Sequence, residues 1–115
     1  MSNRNMFLAK YGDADHIDKA LTDENSVAVR LAAINNPSVT KEHIDKALTD
    51  NDFNVRRAAI RNPNATEKHI DKALNDTDDD VKHAAIHHPN ATEKHIDKAI
   101  NDLRRAAKER NIKGF

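Results

Sequence analysis

The chain has no cysteine and no tryptophan, and only two glycines and three prolines in 115 residues. Without cysteine there is no disulfide, no thiolate nucleophile, no Cys-ligated zinc and no iron–sulfur cluster. Gly12 and Gly114 stand far apart, so no glycine-rich loop is available to cradle a phosphate. One Tyr and three Phe leave any core to be made of Ala, Ile, Leu and Val, and such a core is thin. Net charge is absent as well, because 19 Lys+Arg cancel 19 Asp+Glu. Nothing global therefore draws the chain toward nucleic acid or an anionic membrane, and such binding would need local segregation of charge. No apolar run approaches the roughly 20 residues of a membrane span, so no membrane partner is expected. The opening MSNRNMFLAKYGDADH lacks an apolar stretch of signal-peptide length, and the expected location is cytoplasmic. No Ser/His/Asp set sits in a strand–turn–helix context, so the expectation is a non-enzyme with no cofactor.

What the chain does have is repetition. NATEKHIDKA occupies Asn64 to Ala73 and returns unchanged at Asn90 to Ala99. The triplet HID begins at His16, His43, His69 and His95, spaced by 27, 26 and 26 residues. A second block, V-(R/K)-x-A-A-I, starts at Val29, Val55 and Val81, and Pro37, Pro63 and Pro89 keep the same step. Regular periodicity outweighs the low hydrophobicity that would otherwise suggest disorder. The length is that of one domain.

Each unit holds two short helical segments. The first follows Thr40, Thr66 or Thr92, or Asp13 in the first unit, at the position of a helix N-cap. Ile44, Ala47 and Leu48 then lie at i, i+3 and i+4, one apolar stripe. The second segment follows Asp52 or Asp78, with Asn25 or Ser26 in that place in the first unit, and buries Val55, Ala58 and Ala59. Proline stops it, and its end is expected to tighten toward 3₁₀. Helices this short are marginal alone, since isolated helices need about 12–15 residues, so neighbouring units must cover one another. The expected architecture is all-α: a short right-handed α-solenoid of about four 26-residue two-helix repeats. Residues 1–12 are read as an N-terminal cap and 13–102 as the repeats. Residues 92–111 are read as a capping helix overlapping the last repeat, with Ile96, Ala99, Ile100, Leu103 and Ala107 on one face. Met6, Phe7, Ile112 and Phe115 are placed to cover the ends or join two copies.

The stretch VRRAAIRNPNATEKHIDKALND, Val55 to Asp76, resembles the leucine-rich repeat variant family, whose units read V-R-x-A-V-A-x-N-P-x-T-P before a leucine-bearing segment. The resemblance covers Asp13 to about Asp102. It implies alternating α- and 3₁₀-helices in a right-handed superhelix, and the longer unit here shifts that expectation toward HEAT-like two-helix stacking. It implies no chemistry, because the iron–sulfur domain of the best-known member has no counterpart without cysteine.

Residues shared by every unit point to packing, and residues that differ between units point to binding. Equivalent histidines in successive units are separated by roughly a helix diameter, about 10 Å, too far to share a metal ion. They are read as hydrogen-bonding links between units. The variable pairs Leu31/Asn35, Arg57/Arg61 and His83/His87 lie at i, i+4 on the outer face of the second helix. Arg30, Arg56 and Lys82 add a basic row, continued by Arg104, Arg105, Lys108, Arg110 and Lys113, while acidic residues from Asp23 to Asp80 gather in the loops. The candidate partner-binding residues are Arg30, Arg56, Arg57, Arg61, Lys82, His83, His87, Arg104 and Arg105. Their expected ligand is a protein, the chain acting as adaptor or inhibitor, since arginine forks suit carboxylates as well as phosphates. Nucleic acid along the basic row is the alternative, weakened by the near absence of aromatic residues for base stacking. Asp79, His83 and His87 have the i, i+4, i+8 spacing of metal ligands without a fixed third ligand, and no metal site is assigned.

Overall fold

The computed structural model describes the backbone of residues 3–113 and the side chains of residues 3–110. Ile112 and Phe115, two of the expected end residues, and Lys113 at the tail of the basic row lie outside the described side chains. The described chain is all α-helix and loop. The helices are α1 (Asn3–Tyr11), α2 (Ala14–Leu21), α3 (Val27–Ile34), α4 (Lys41–Ala47), α5 (Phe53–Arg61), α6 (Glu67–Leu74), α7 (Asp79–Ile86) and α8 (Glu93–Lys113).

Local chemistry explains where each one starts. Thr40 and Thr66 accept the backbone N–H of His43 and His69, and those imidazoles accept the cap residue's own N–H in return. Asp13 and His16 form the same box at α2. A histidine thus fills the third-position role that Glu or Gln usually plays in a capping box. Ser26, Asp52 and Asp78 cap α3, α5 and α7 through side-chain oxygens. Gly12 makes the corner between α1 and α2. A Cβ there would lie 2.4 Å from both the Leu8 carbonyl oxygen and His16 Cβ.

The expected solenoid is not what these helices build. They form a bundle with cross-linked packing, in which α1 lies on α3, α3 on α5 and α5 on α7, across the chain order. The packing is also uneven, for the backbones of α2 and α4 and of α6 and α8 come closer together than those of α4 and α6, which His69 and Asp45 link. Three helix pairs are complete, α2–α3, α4–α5 and α6–α7, not about four. The fourth has no second helix, because α8 runs straight for 21 residues through the place of a loop and its partner. Every described helix is α, so the expected 3₁₀ segments are absent among the described residues. The resemblance to the leucine-rich repeat variant family, and the HEAT-like reading with it, fails on these grounds. A repeated sequence phrase sets repeated caps and buried positions. Helix length and side-chain volume decide how the helices then pack.

The core is thin and aliphatic. Ile17, Ile34, Ile44, Ile60 and Ile70 are fully enclosed, together with Val29, Val55 and Val81. Phe7, Tyr11 and Phe53 stay largely exposed. Ala33, Ala59 and Ala85 are fully or almost fully buried on α3, α5 and α7, where small side chains let these helices approach, while Ala58 is half-buried. Replacing Ala59 by Leu inserts three carbons where no space exists and is expected to destabilise the fold by about 1–3 kcal/mol. Chemical denaturation checks this, and a midpoint equal to that of the parent would show that α3, α5 and α7 are not closely packed there.

Candidate interaction face

The nine candidate residues do not lie together. Arg30 and Arg56 turn inward. Arg30 Nε donates to Asp50 Oδ2 at 2.8 Å, with Nη2 3.3 Å from Oδ1 and Nη1 donating to the Asp23 carbonyl at 2.7 Å. Arg56 repeats this on Asp76, with Nε at 2.9 Å and Nη2 at 3.3 Å, and its Nη1 donates to the Asp50 carbonyl at 2.8 Å. A planar fork with two parallel bonds is what guanidinium offers carboxylate and lysine cannot. Lys82, at the equivalent place on α7, does not reproduce the fork, and its amine lies 3.9 Å from Asp79. The acidic residue that would answer it, Asp102, instead takes Lys98 Nζ at 3.1 Å and Arg105 at 3.5 Å. The Lys98 hydrogen bond and the charges around it hold the Asp102 carboxyl below the ordinary carboxylate range.

The loop acids are therefore not a free rim facing a free ridge. Asp50 and Asp76 are locked to Arg30 and Arg56, and Asp52 and Asp78 are helix caps. Three of the four histidines that recur in the units are bound in the same way. His43, His69 and His95 are buried, and each Nδ1 accepts the N–H of Thr40, Thr66 or Thr92 at 2.8–2.9 Å. The ring proton therefore sits on Nε2, which faces Asp18, Asp45 and Asp71 respectively at 2.9–3.0 Å. His88 is buried too, its Nε2 donating to the Asn62 carbonyl at 2.9 Å and its Nδ1 accepting from the Asn90 N–H at 3.0 Å.

What remains free is the outer face of α5 and α7. Arg57 donates to Asn54 Oδ1 at 3.1 Å, lies 3.8 Å from Asp80 and stands over the Phe53 ring with 5.9 Å to the centroid. Arg61, one turn on, is exposed and has no ion-pair or hydrogen-bond partner among the described residues. His83 and His87 bring their rings to 4.3 Å on the exposed side of α7. Two shallow grooves run here. One, of about 470 Å3, is lined by Arg57, Arg61, Asp80, His83, His87 and Pro89 among others. The other, of about 360 Å3, lies toward α3 and is lined by Leu31, Asn35, Asn54, Arg57, Arg61 and Pro63 among others. Arg57 and Arg61 line both, so the two arginines form the ridge between them.

Asp79 is fully exposed on its side-chain atoms, and no three His, Asp or Glu side chains converge as metal ligands among the described residues. Arg104 and Arg105 are exposed on α8, beside neither groove. Phe7, expected at an end of the fold, is exposed and pairs with Tyr11 on α1, a partner that sequence reasoning passed over, their rings 5.1 Å apart. Their i, i+4 spacing was the available signal. No helix among the described residues is long and apolar enough to cross a membrane. No family model, no curated protein and no solved structure matches the chain.

Proposed function

We infer that the chain is a non-catalytic protein-binding module, an adaptor or inhibitor working in the cytoplasm, that takes an acidic segment of its partner against the α5–α7 face. The observation carrying this reading is the ridge of Arg57 and Arg61 between two open grooves, with Arg61 unpaired among the described residues. A guanidinium facing a groove is ready to donate two parallel hydrogen bonds to a carboxylate. The flanking His83 and His87 supply further donors and an aromatic edge. The shallow open form of the grooves suits a polypeptide surface better than a small molecule, which favours enclosed apolar pockets.

The phosphate-tracking alternative is weakened by the inward turn of Arg30 and Arg56, which removes two of its cations. The test is capture from nuclease-treated lysate by the parent chain and by Arg57→Glu/Arg61→Glu. A discrete protein retained by the parent and lost at least about tenfold by the double variant is expected, as for removal of charged hydrogen bonds. Arg61 lies on the surface and Arg57 is half-buried with a hydrogen bond to Asn54 and Asp80 close by, so the double variant should cost about 1–2 kcal/mol and still fold. Capture that survives the double change overturns the reading. Capture that vanishes with nuclease and falls about 10³-fold or more between 50 and 200 mM salt replaces it with the nucleic-acid alternative.

A further inference from the structure

Three times within the chain, the imidazole of one unit meets the aspartate of the unit before it: His43 on Asp18, His69 on Asp45 and His95 on Asp71. Each contact leaves one member of the set over at an end. At the C-terminal end it is Asp97, the aspartate of the last HID triplet, exposed on α8 with no partner among the described residues. At the N-terminal end it is His16. Its Nδ1 is held by Asp13, and its Nε2, the atom that serves the next aspartate in the other three histidines, has no partner among the described residues. Its side chain is 40% exposed, where those of His43, His69 and His95 are 4% exposed.

The apolar groups divide in the same way. In α6, Ile70, Ala73 and Leu74 are 0%, 2% and 4% exposed. Their counterparts in α8, reached through the identical phrase, are Ile96, Ala99 and Ile100. The two isoleucines are each 41% exposed and the alanine is half-buried. In the interior that stripe is covered by the helix that follows, as α7 covers α6 and α3 covers α2. Among the described residues no helix covers the stripe of α8 in that way. The opposite end begins with a helix of the covering kind. α1 packs on α3 as α3 packs on α5, and its Ala9 is as deeply buried as Ala33 and Ala59. α1 carries exposed Phe7 and Tyr11 outward.

We propose that the two ends are complementary and that a second copy of this chain docks head to tail. Its α1 covers the Ile96/Ala99/Ile100 stripe of α8, and its His16 Nε2 donates to Asp97 of the first copy. The occupant is a second copy because the donor, the acceptor, the stripe and the covering helix all belong to one contact that the chain already makes internally. Such an interface is heterologous, so it extends into rings or open assemblies in place of stopping at a two-fold dimer. Each copy adds one buried imidazole–carboxylate hydrogen bond and the cover of two half-exposed isoleucines. That is a weak contact by the standard of permanent interfaces, so association belongs to high protein concentration. It is independent of the α5–α7 face.

Sedimentation equilibrium tests this over a concentration series reaching the millimolar range. The parent is expected to rise from its monomer mass of 12.9 kDa as concentration increases. Asp97→His and His16→Asp should each weaken association at least about tenfold, since each sets like groups against one another at the contact. An equimolar mixture of the two variants restores an imidazole opposite a carboxylate at every junction and should associate as the parent does. Asp at position 16 can still accept the Asp13 N–H, so the α2 cap survives. Ile100→Glu, placed on the exposed stripe, should keep the parent's helical content and abolish association. A parent that stays at its monomer mass throughout the series overturns the proposal. So does association that both single variants leave unchanged, or a mixture that fails to recover what each variant lost.

Discussion

Arg56→Ala is expected to lower the stability of this protein by about 3–5 kcal/mol, the range for removing one member of a buried ion pair. The Arg56 and Asp76 side chains are 15% and 10% exposed, so the carboxylate left behind has little water to replace the guanidinium. Arg56 also donates from Nη1 to the carbonyls of Asp50 and Asn51, at 2.8 and 3.1 Å, which ties the α4–α5 loop to the α6–α7 loop. Against a total folding free energy of about 5–15 kcal/mol, the loss is large enough to leave a measurable unfolded fraction. Most of the cost is the stranded charge, so Arg56→Met/Asp76→Leu should be less destabilised than either single truncation. Arg61→Ala, only five residues along the same helix, should stay within about 0.5 kcal/mol of the parent because its side chain lies in solvent. Urea unfolding of the four proteins separates these cases. Equal midpoints for Arg56→Ala and Arg61→Ala would mean that Arg56 is a surface cation after all.

The second large effect compares one residue in two copies of one phrase. Ile70→Ala removes a side chain with no exposure and is expected to cost about 2–5 kcal/mol, the transfer term plus a cavity between α6 and its neighbours. Ile96→Ala changes the same letter in the same ten-residue string, NATEKHIDKA, but at 41% exposure. It should cost about 1–2 kcal/mol, because at 41% exposure a large part of its surface stays in water and gains nothing from folding of a single copy, and no closed cavity is left. The comparison has to be made in dilute solution, where copies do not cover one another. If the two variants unfold together, α8 is buried in solution by something that a single chain does not supply.

That comparison shows what sequence alone can carry. Helix starts were legible, because Thr, Ser and Asp side chains satisfy the first free N–H groups wherever the backbone turns into a helix. The buried stripe of α4 and, but for half-buried Ala58, that of α5 were legible for the same local reason, as spacing at i, i+3 and i+4 selects one face of a helix. So was the structural character of the HID histidines, since fourfold recurrence at helix-width spacing leaves no shared ligand to hold. The outward exposure of Arg61, His83 and His87 was legible from their i, i+4 placement on the outer face of the second helices.

The packing was not. The long α8 was legible as a capping helix over 92–111, but a 26-residue period is compatible with a regular two-helix solenoid, and it took the tertiary structure to show three helix pairs and uneven cross-packing. Arg30 and Arg56 looked like a row of free cations because their answering carboxylates, Asp50 and Asp76, lie 20 residues away, beyond any helical periodicity. Exposure at the ends was equally hidden. Identical strings carry identical propensities, caps and hydrophobic patterns, and only the presence or absence of a covering helix makes Ile70 core and Ile96 surface. The sequence by itself determined which residues form helices, where those helices begin and which face of each is apolar, since these depend on neighbours within one turn. Tertiary structure alone decided which charges are locked, which remain free to bind and which apolar face is left open, since these depend on groups that the chain brings together from far apart.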